Sequence, residues 1–143
     1  MKTLCLFITM LLVVVPNAQA AGVPLEKDRL IAALIQVESR GNDRAIGDKK
    51  KKEKAYGCLQ IRKPCVDDVN KHFGTKIKAE DCLGNRALSI WVCQNYLKLY
   101  ATRERLGREP REQDRARIWN GGPNGYKISA TNVYWSRVQK QLK

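Results

Sequence analysis

Glu38 is the residue whose position most strongly indicates chemistry. The pattern predicts a helix over residues 24–40, with apolar side chains at helical spacing. Because Glu38 lies four residues after Leu34 and three after Ile35, it belongs to the apolar stripe of that helix. Burial raises the pKa of a carboxyl, and a carboxyl that stays protonated near neutral pH can act as a general acid. The alternative is a structural glutamate paired with an arginine or lysine.

Helices are the elements that would position Glu38. Apolar spacing and stop signals predict four more of them, over residues 64–74, 85–101, 110–120 and 129–142. The third of the five predicted helices is apolar around most of its circumference, so it is expected to be the buried central one. Residues 55–61 are expected to be extended, and a glycine-rich turn at 121–125 lets backbone approach a ligand closely. We therefore expect a mainly α domain with a small irregular or β segment.

The first 20 residues have the three regions of a secretory signal peptide. Lys2 precedes a 12-residue apolar run at positions 4–15, and Pro16 and a small-x-small triplet follow it. The run is shorter than the roughly 20 residues that a membrane-spanning helix needs. We therefore expect a signal peptide over residues 1–20, one domain over residues 21–143, and a secreted protein, extracellular or periplasmic.

The cysteines are expected to form two disulfides. Four would remain after the signal peptide, and an even number is typical of disulfides in a small exported domain. They are Cys58, Cys65, Cys82 and Cys93, and the sequence does not choose among their three pairings. A zinc site is the alternative, but no C-x-x-C pair occurs and the only histidine, His72, lies in a predicted surface helix. No metal or organic cofactor is expected.

The charge balance is strongly basic. Without Lys2, the 27 basic residues become 26 against 14 acidic ones, a formal charge of +12. A charge of this sign favours association with anionic partners such as acidic cell-wall polymers, lipid head groups or nucleic acid. The four consecutive lysines at positions 49–52 are expected in an exposed loop, where like charges repel one another.

Several short motifs, taken in order, carry a family resemblance. They are Glu38-Ser39 at a helix end and the segments at positions 45–48 (AIGD), 56–61 (YGCLQI), 119–125 (WNGGPNG) and 134–135 (YW). With these motifs the chain resembles the lysozyme superfamily, in particular the invertebrate-type (destabilase-type) lysozymes and their bacterial relatives, which overlap with the catalytic domain of soluble lytic transglycosylases. The resemblance implies a helical lysozyme-like fold with a saccharide cleft. In it, Glu38 would protonate the glycosidic oxygen of peptidoglycan.

The resemblance also implies further site residues. Invertebrate-type lysozymes add an aspartate in the loop after the glutamate, and Asp48 is the nearest match, with Glu53 as the alternative. Gln60 matches a glutamine beside the cleft, and Asn120 and Gly121 match the turn that forms the opposite wall. Amide side chains and open backbone suit sugar hydroxyls and N-acetyl groups.

Aromatic side chains could offer flat faces to sugar rings. Tyr56, Tyr126 and Tyr134, together with Trp119, are candidates for this role, whereas Trp91 and Trp135 are assigned to the core. The chain also departs from the family pattern. Trp119 stands where the invertebrate enzymes usually have histidine, and their cysteines lie one position earlier at two points, so their disulfide map cannot be transferred.

Three functions remain open at this point. Two carboxylates would hydrolyse the β-1,4 bond between N-acetylmuramic acid and N-acetylglucosamine, and the presence of Asp48 favours this interpretation. Glu38 alone would support lytic transglycosylation with a 1,6-anhydro product. The third hypothesis is a non-catalytic cationic protein that binds envelope polymers. We expect a monomer that binds peptidoglycan and anionic wall polymers, and we do not expect nucleic acid as its partner.

Overall fold

The computed structural model describes residues 28–142, so the expected signal peptide lies outside the described residues. This part of the chain is mainly helical, as the sequence predicts. Its helices are α1 (Arg29–Ser39), α2 (Lys63–Phe73), α3 (Arg86–Tyr100), α4 (Arg103–Leu106), α5 (Glu112–Gly121) and α6 (Thr131–Gln139), and two short strands are β1 (Ile46–Gly47) and β2 (Ala55–Tyr56). None of the described helices is long and apolar enough to cross a membrane.

Helix α1 begins and ends where its local sequence dictates. The Asp28 side chain accepts hydrogen bonds from the backbone N–H groups of Leu30 and Ile31, which caps the first turn. At the other end Arg40 takes a left-handed conformation that closes the helix. The face between these caps is buried and carries Leu30, Ile31, Ala33, Leu34 and Ile35. Burial of this face fixes α1 against the core and sets the direction of its last turn.

The small sheet is shorter than the extended segment predicted at residues 55–61. Strands β1 and β2 pair antiparallel, with Ile46 opposite Tyr56. Residues 57–60 form a turn instead of continuing β2, and Ile61 then returns to bridge Tyr56. Gly57 makes this turn possible, because its φ is +73° and a Cβ there would collide with the Cys82 carbonyl. The lysine loop at 49–52 joins the strands and is exposed, as predicted.

Helix α3 is the central helix, as the apolar pattern predicts. Asn85 caps its first turn by accepting from the N–H of Leu88, and much of the helix surface is buried. It packs against α2 and α5, while α6 packs against both α1 and α5. These contacts place the end of α1 beside α6, and the start of α2 and the end of α5 on either side of the central helix.

Cys58, Cys65, Cys82 and Cys93 are free thiols in the described part of the chain, in contrast to the two disulfides expected for an exported domain. Three of them are fully buried in the hydrophobic core, where a cysteine packs as a small apolar side chain. Cys65 alone is partly exposed.

Candidate active site

Glu38 lies in the last turn of α1, where that helix meets α6. The hydroxyl of Tyr134 donates a hydrogen bond to Glu38 Oε1 over 2.7 Å, and Tyr134 itself is buried in α6. The two residues are 96 positions apart in sequence, so only the packing of α1 on α6 brings them together. Tyr134 therefore contacts the Glu38 carboxyl and is not among the residues that line the cleft described below.

Burial raises the pKa of the Glu38 carboxyl above its ordinary value. Removal from water is the dominant cause, and it outweighs three opposing influences: the hydrogen bond from Tyr134, a hydrogen bond from Trp119 and the positive charge of Arg62. A carboxyl in this environment keeps its proton closer to neutral pH than an exposed glutamate does. The arrangement can therefore supply a proton as a general acid.

A cleft of about 230 Å³ opens in front of Glu38. Its walls come from the end of α1, the turn after β2, the start of α2, the middle of α3 and the end of α5. The lining residues are Glu38, Gln60, Arg62, Pro64, Cys65, Tyr96, Trp119, Asn120 and Gly122. Of the described residues that line it, Glu38 alone carries a carboxyl group. The cleft thus combines one buried acid with amide, aromatic and cationic side chains.

Gln60 and Asn120 lie on the cleft, as the resemblance implies. Gln60 Nε2 donates to the Gly57 carbonyl over 2.9 Å, so this amide also holds the turn that follows β2. Gln60 Oε1 lies against Gly47, where a Cβ would overlap it. A side chain at position 47 would therefore displace the Gln60 amide from the place that it occupies in this structure.

Asp48 is not among the lining residues, although the loop that carries it borders the cleft wall. Its carboxylate forms ion pairs with Arg62 and, over 3.1 Å, with Lys51. These two cations, Arg62 foremost, lower the pKa of Asp48 below its ordinary value. Asp48 is therefore a charged carboxylate that reaches the cleft only through Arg62. Glu53 is exposed in the same loop and does not line the cleft either.

Two of the tyrosines proposed to bind sugar lie away from the cleft lining. Tyr56 lies beside Glu80, whose carboxyl adds to the effect of burial in raising the tyrosine pKa. Tyr126 donates its hydroxyl hydrogen bond to the Arg105 carbonyl over 3.0 Å. Both side chains therefore connect neighbouring loops in this structure.

Gly121 also faces away from the cleft, and its neighbour takes the place assigned to it. A Cβ on Gly121 would lie 2.7 Å from a methyl group of Thr131, so this glycine permits α5 to pack on α6. Gly122 lines the cleft instead, with φ of +80° and open space in front of it. The turn therefore forms part of the cleft wall through Asn120 and Gly122, and not through Asn120 and Gly121.

Sequence reasoning missed Arg62, Pro64, Cys65 and Tyr96 as cleft residues. The first three surround the start of α2, and the proline at its first turn was the signal that marked this helix end. Tyr96 packs edge-on against Trp119, with ring centroids 5.8 Å apart. Because Tyr96 sits on the central helix, an apolar pattern indicates core and gives no sign of exposure to the cleft.

A buried carboxyl in a cleft between helices fits the lysozyme-like resemblance of the sequence motifs. The chain belongs to the transglycosylase SLT domain family, whose sequence model matches residues 17–109. That match ends before α5 and α6, which supply Trp119, Asn120 and Tyr134. No curated protein matches the chain in sequence.

Solved lysozyme structures support the same classification. The lysozyme of Tapes japonica is 28% identical with a TM-score of 0.66, and the match covers 79% of this chain and 88% of that one. Inhibitor-bound lysozyme from Meretrix lusoria is 26% identical with a TM-score of 0.67, covering 81% and 90%. A structure of Aeromonas hydrophila PliI in complex with the Meretrix lysozyme matches equally well. The resemblance drawn from the motifs is confirmed, and the protein is a glycoside hydrolase or lytic transglycosylase.

Proposed function

We propose that the protein cleaves the β-1,4 bond between N-acetylmuramic acid and N-acetylglucosamine in peptidoglycan, with Glu38 as the general acid. The carrying observation is the buried Glu38 carboxyl, which is the only carboxyl group among the described residues that line the cleft. Membership of the transglycosylase SLT domain family and likeness to lysozymes support the substrate.

The single carboxyl favours lytic transglycosylation over hydrolysis. Glu38 gives its proton to the glycosidic oxygen as the C1–O bond breaks, and the leaving sugar takes up that proton. The resulting carboxylate then accepts the proton of the muramic 6-hydroxyl while that oxygen bonds to C1, which regenerates the acid and leaves a 1,6-anhydro end. Tyr134 donates to the carboxylate that exists between the two steps, and such charge-assisted bonds are the stronger ones.

Hydrolysis with Asp48 as the second carboxylate is the other candidate. It is favoured by the 26–28% identity to lysozymes and by the place of Asp48 on a loop at the cleft wall. In that mechanism Asp48 would leave Arg62 and Lys51 and approach the sugar. A separation from Glu38 of about 5–5.5 Å would give retention, and about 6.5–9.5 Å inversion.

The glycan would be held by the two walls of the cleft. Gln60 and Asn120 are suited to hydroxyl and N-acetyl groups, and the rings of Tyr96 and Trp119 offer apolar faces to sugars. Tyr56, Gly121 and Tyr126 would contribute only if the loops that carry them rearranged around a longer strand.

Secretion and wall binding complete the proposal. The domain would act as a monomer outside the cytoplasm after loss of residues 1–20, and its formal charge of +12 would attract it to anionic wall polymers. The exposed lysine loop at 49–52 is the most concentrated part of this charge.

Clearing of a peptidoglycan suspension by Glu38→Gln, Asp48→Asn and Glu53→Gln tests the assignment. We expect Glu38→Gln to lose about 10²–10⁴-fold in rate, because general acid–base catalysis contributes that much. Glu53→Gln is the matched control, since this exposed acid lies off the cleft. Retention of more than about a tenth of the rate by a folded Glu38→Gln variant would refute the role of Glu38.

A further inference from the structure

Arg62 is the one cationic side chain among the described residues that line the cleft. It lies immediately before α2, and about half of its side chain, 47%, is exposed to solvent. Its positive charge lowers the pKa of Glu38 and so acts against the rise in pKa that burial causes. A positive charge therefore stands on the cleft wall beside the proposed acid.

The ion pair with Asp48 leaves some hydrogen-bond donors of this arginine without an acceptor among the described residues. Asp48 accepts from Arg62 Nη2, and Lys51 shares the same carboxylate over 3.1 Å, so two cations face one anion. Among residues 28–142, no partner accepts from Arg62 Nε or Nη1. The first turn of the eleven-residue helix α2 adds the positive end of its dipole to the same wall.

We propose that Arg62 binds a carboxylate of the glycan in the cleft, and that Asp48 is the positioning residue that directs the guanidinium toward it. The inference rests on the proposed function and specifies its substrate class: muramoyl glycans that carry a free carboxylate. The carboxylate can come from the lactyl ether of a peptide-free muramic residue or from a stem peptide.

The chemistry of guanidinium favours this ligand over neutral sugar groups. Arginine presents planar N–H donors whose fork matches a carboxylate, and charge-assisted bonds of this kind are about twice as strong as neutral ones. Gln60 and Asn120 already provide amides for neutral groups on the same cleft. Asp48 meanwhile keeps the long arginine side chain in place, which lowers the entropy lost when a ligand binds.

Matched substrates separate this role from the acid chemistry. The test compares peptide-free N-acetylglucosamine–N-acetylmuramic acid oligomers whose lactyl carboxylate is free with the same oligomers converted to carboxamides, and a third arm uses peptide-bearing oligomers. The readout is kcat/KM for the carboxylate oligomer divided by kcat/KM for the carboxamide oligomer. A substitution that alters the acid chemistry of Glu38 changes both values by the same factor, so its effect cancels in the ratio.

We expect Arg62→Gln to lower this ratio about tenfold, the effect of losing a hydrogen bond between charged groups. Arg62→Lys should give a ratio between those of the unaltered protein and Arg62→Gln, because lysine keeps the positive charge but lacks the planar pair of donors. Asp48→Asn should lower the ratio by a smaller factor than Arg62→Gln does. Lys63→Gln is the control: it removes the same charge from the next residue, which pairs with Asp67 and does not line the cleft. A loss confined to the peptide-bearing arm assigns the carboxylate to the stem.

An unchanged ratio in folded Arg62→Gln, with no loss in the peptide-bearing arm either, would overturn the proposal. So would an Asp48→Asn variant that slows all substrates equally by about a hundredfold, since that result makes Asp48 a reacting carboxylate. Equilibrium binding of the same oligomers to Glu38→Gln gives a second, independent readout. If the oligomers are not cleaved by the unaltered protein but Arg62 still discriminates between them in binding, the proposed function fails and the carboxylate site stands.

Discussion

Replacing Glu38 by glutamine should make the protein more stable at neutral pH while it removes activity. Burial raises the pKa of Glu38 in the folded protein above its value in the unfolded chain. The folded state therefore binds the proton more tightly, and stability is lost as pH rises from the unfolded pKa through the folded one. Glutamine has no charge to bury and can still accept the hydrogen bond from Tyr134.

The size of the gain follows from how far the pKa is raised. Each unit corresponds to about 1.4 kcal/mol, and the bonds from Tyr134 and Trp119 reduce the cost of burying the charge. The Tm of Glu38→Gln should therefore exceed that of the unaltered protein at the higher pH, and each 1 kcal/mol of gain would raise Tm by about 4 °C for a domain of this size. The gain should be present above the folded pKa and absent below the unfolded one.

Thermal unfolding of both proteins at about pH 8 and about pH 4 measures this difference. Glu53→Gln is the control, because this exposed glutamate should leave Tm unchanged at both pH values. A Glu38→Gln variant that is less stable at the higher pH, or that has the same Tm difference at both, would refute the argument that Glu38 is a buried acid with a raised pKa.

Three further results are expected. Tyr134→Phe removes a donor that favours the ionised form of Glu38, so the alkaline limb of the pH–rate profile should move to higher pH and the maximal rate should fall about tenfold; an unshifted profile would contradict this. Gly125→Ala should cost about 3 kcal/mol or more in denaturant unfolding, because a Cβ there overlaps the Arg117 carbonyl. Neutralising the lysines at 49–52 should weaken binding to anionic walls and flatten its salt dependence, while turnover of short neutral oligosaccharides stays unchanged.

The helices and the acid could be predicted from sequence because their causes are local. Apolar spacing, the stop signal at Gly41 and the proline before Cys65 mark helix faces and ends within a few residues. The same spacing put Glu38 on a buried face. Gln60 and Asn120 came from motifs, and both lie on the cleft.

The remaining features depend on contacts between distant segments. Tyr134 was assigned to sugar binding, but the packing of α6 on α1 makes it a donor to Glu38. Asp48 was expected to be a second reacting carboxylate, and its pairing with Arg62 depends on where the chain returns after β2. These contacts join residues that are far apart in sequence, so no local sequence pattern predicts them. The hydrogen bond to Glu38 and the ion pair beside it could be found only from the folded structure.

Digestion of peptidoglycan in ¹⁸O-labelled water, followed by mass spectrometry of the fragments, tests the central claim most directly. If Glu38 is the only reacting carboxyl, the new ends are 1,6-anhydro-muramic residues and contain no ¹⁸O, because the attacking oxygen comes from the sugar itself. Reducing ends that carry one ¹⁸O would contradict this account, since they require attack by water in place of the muramic 6-hydroxyl.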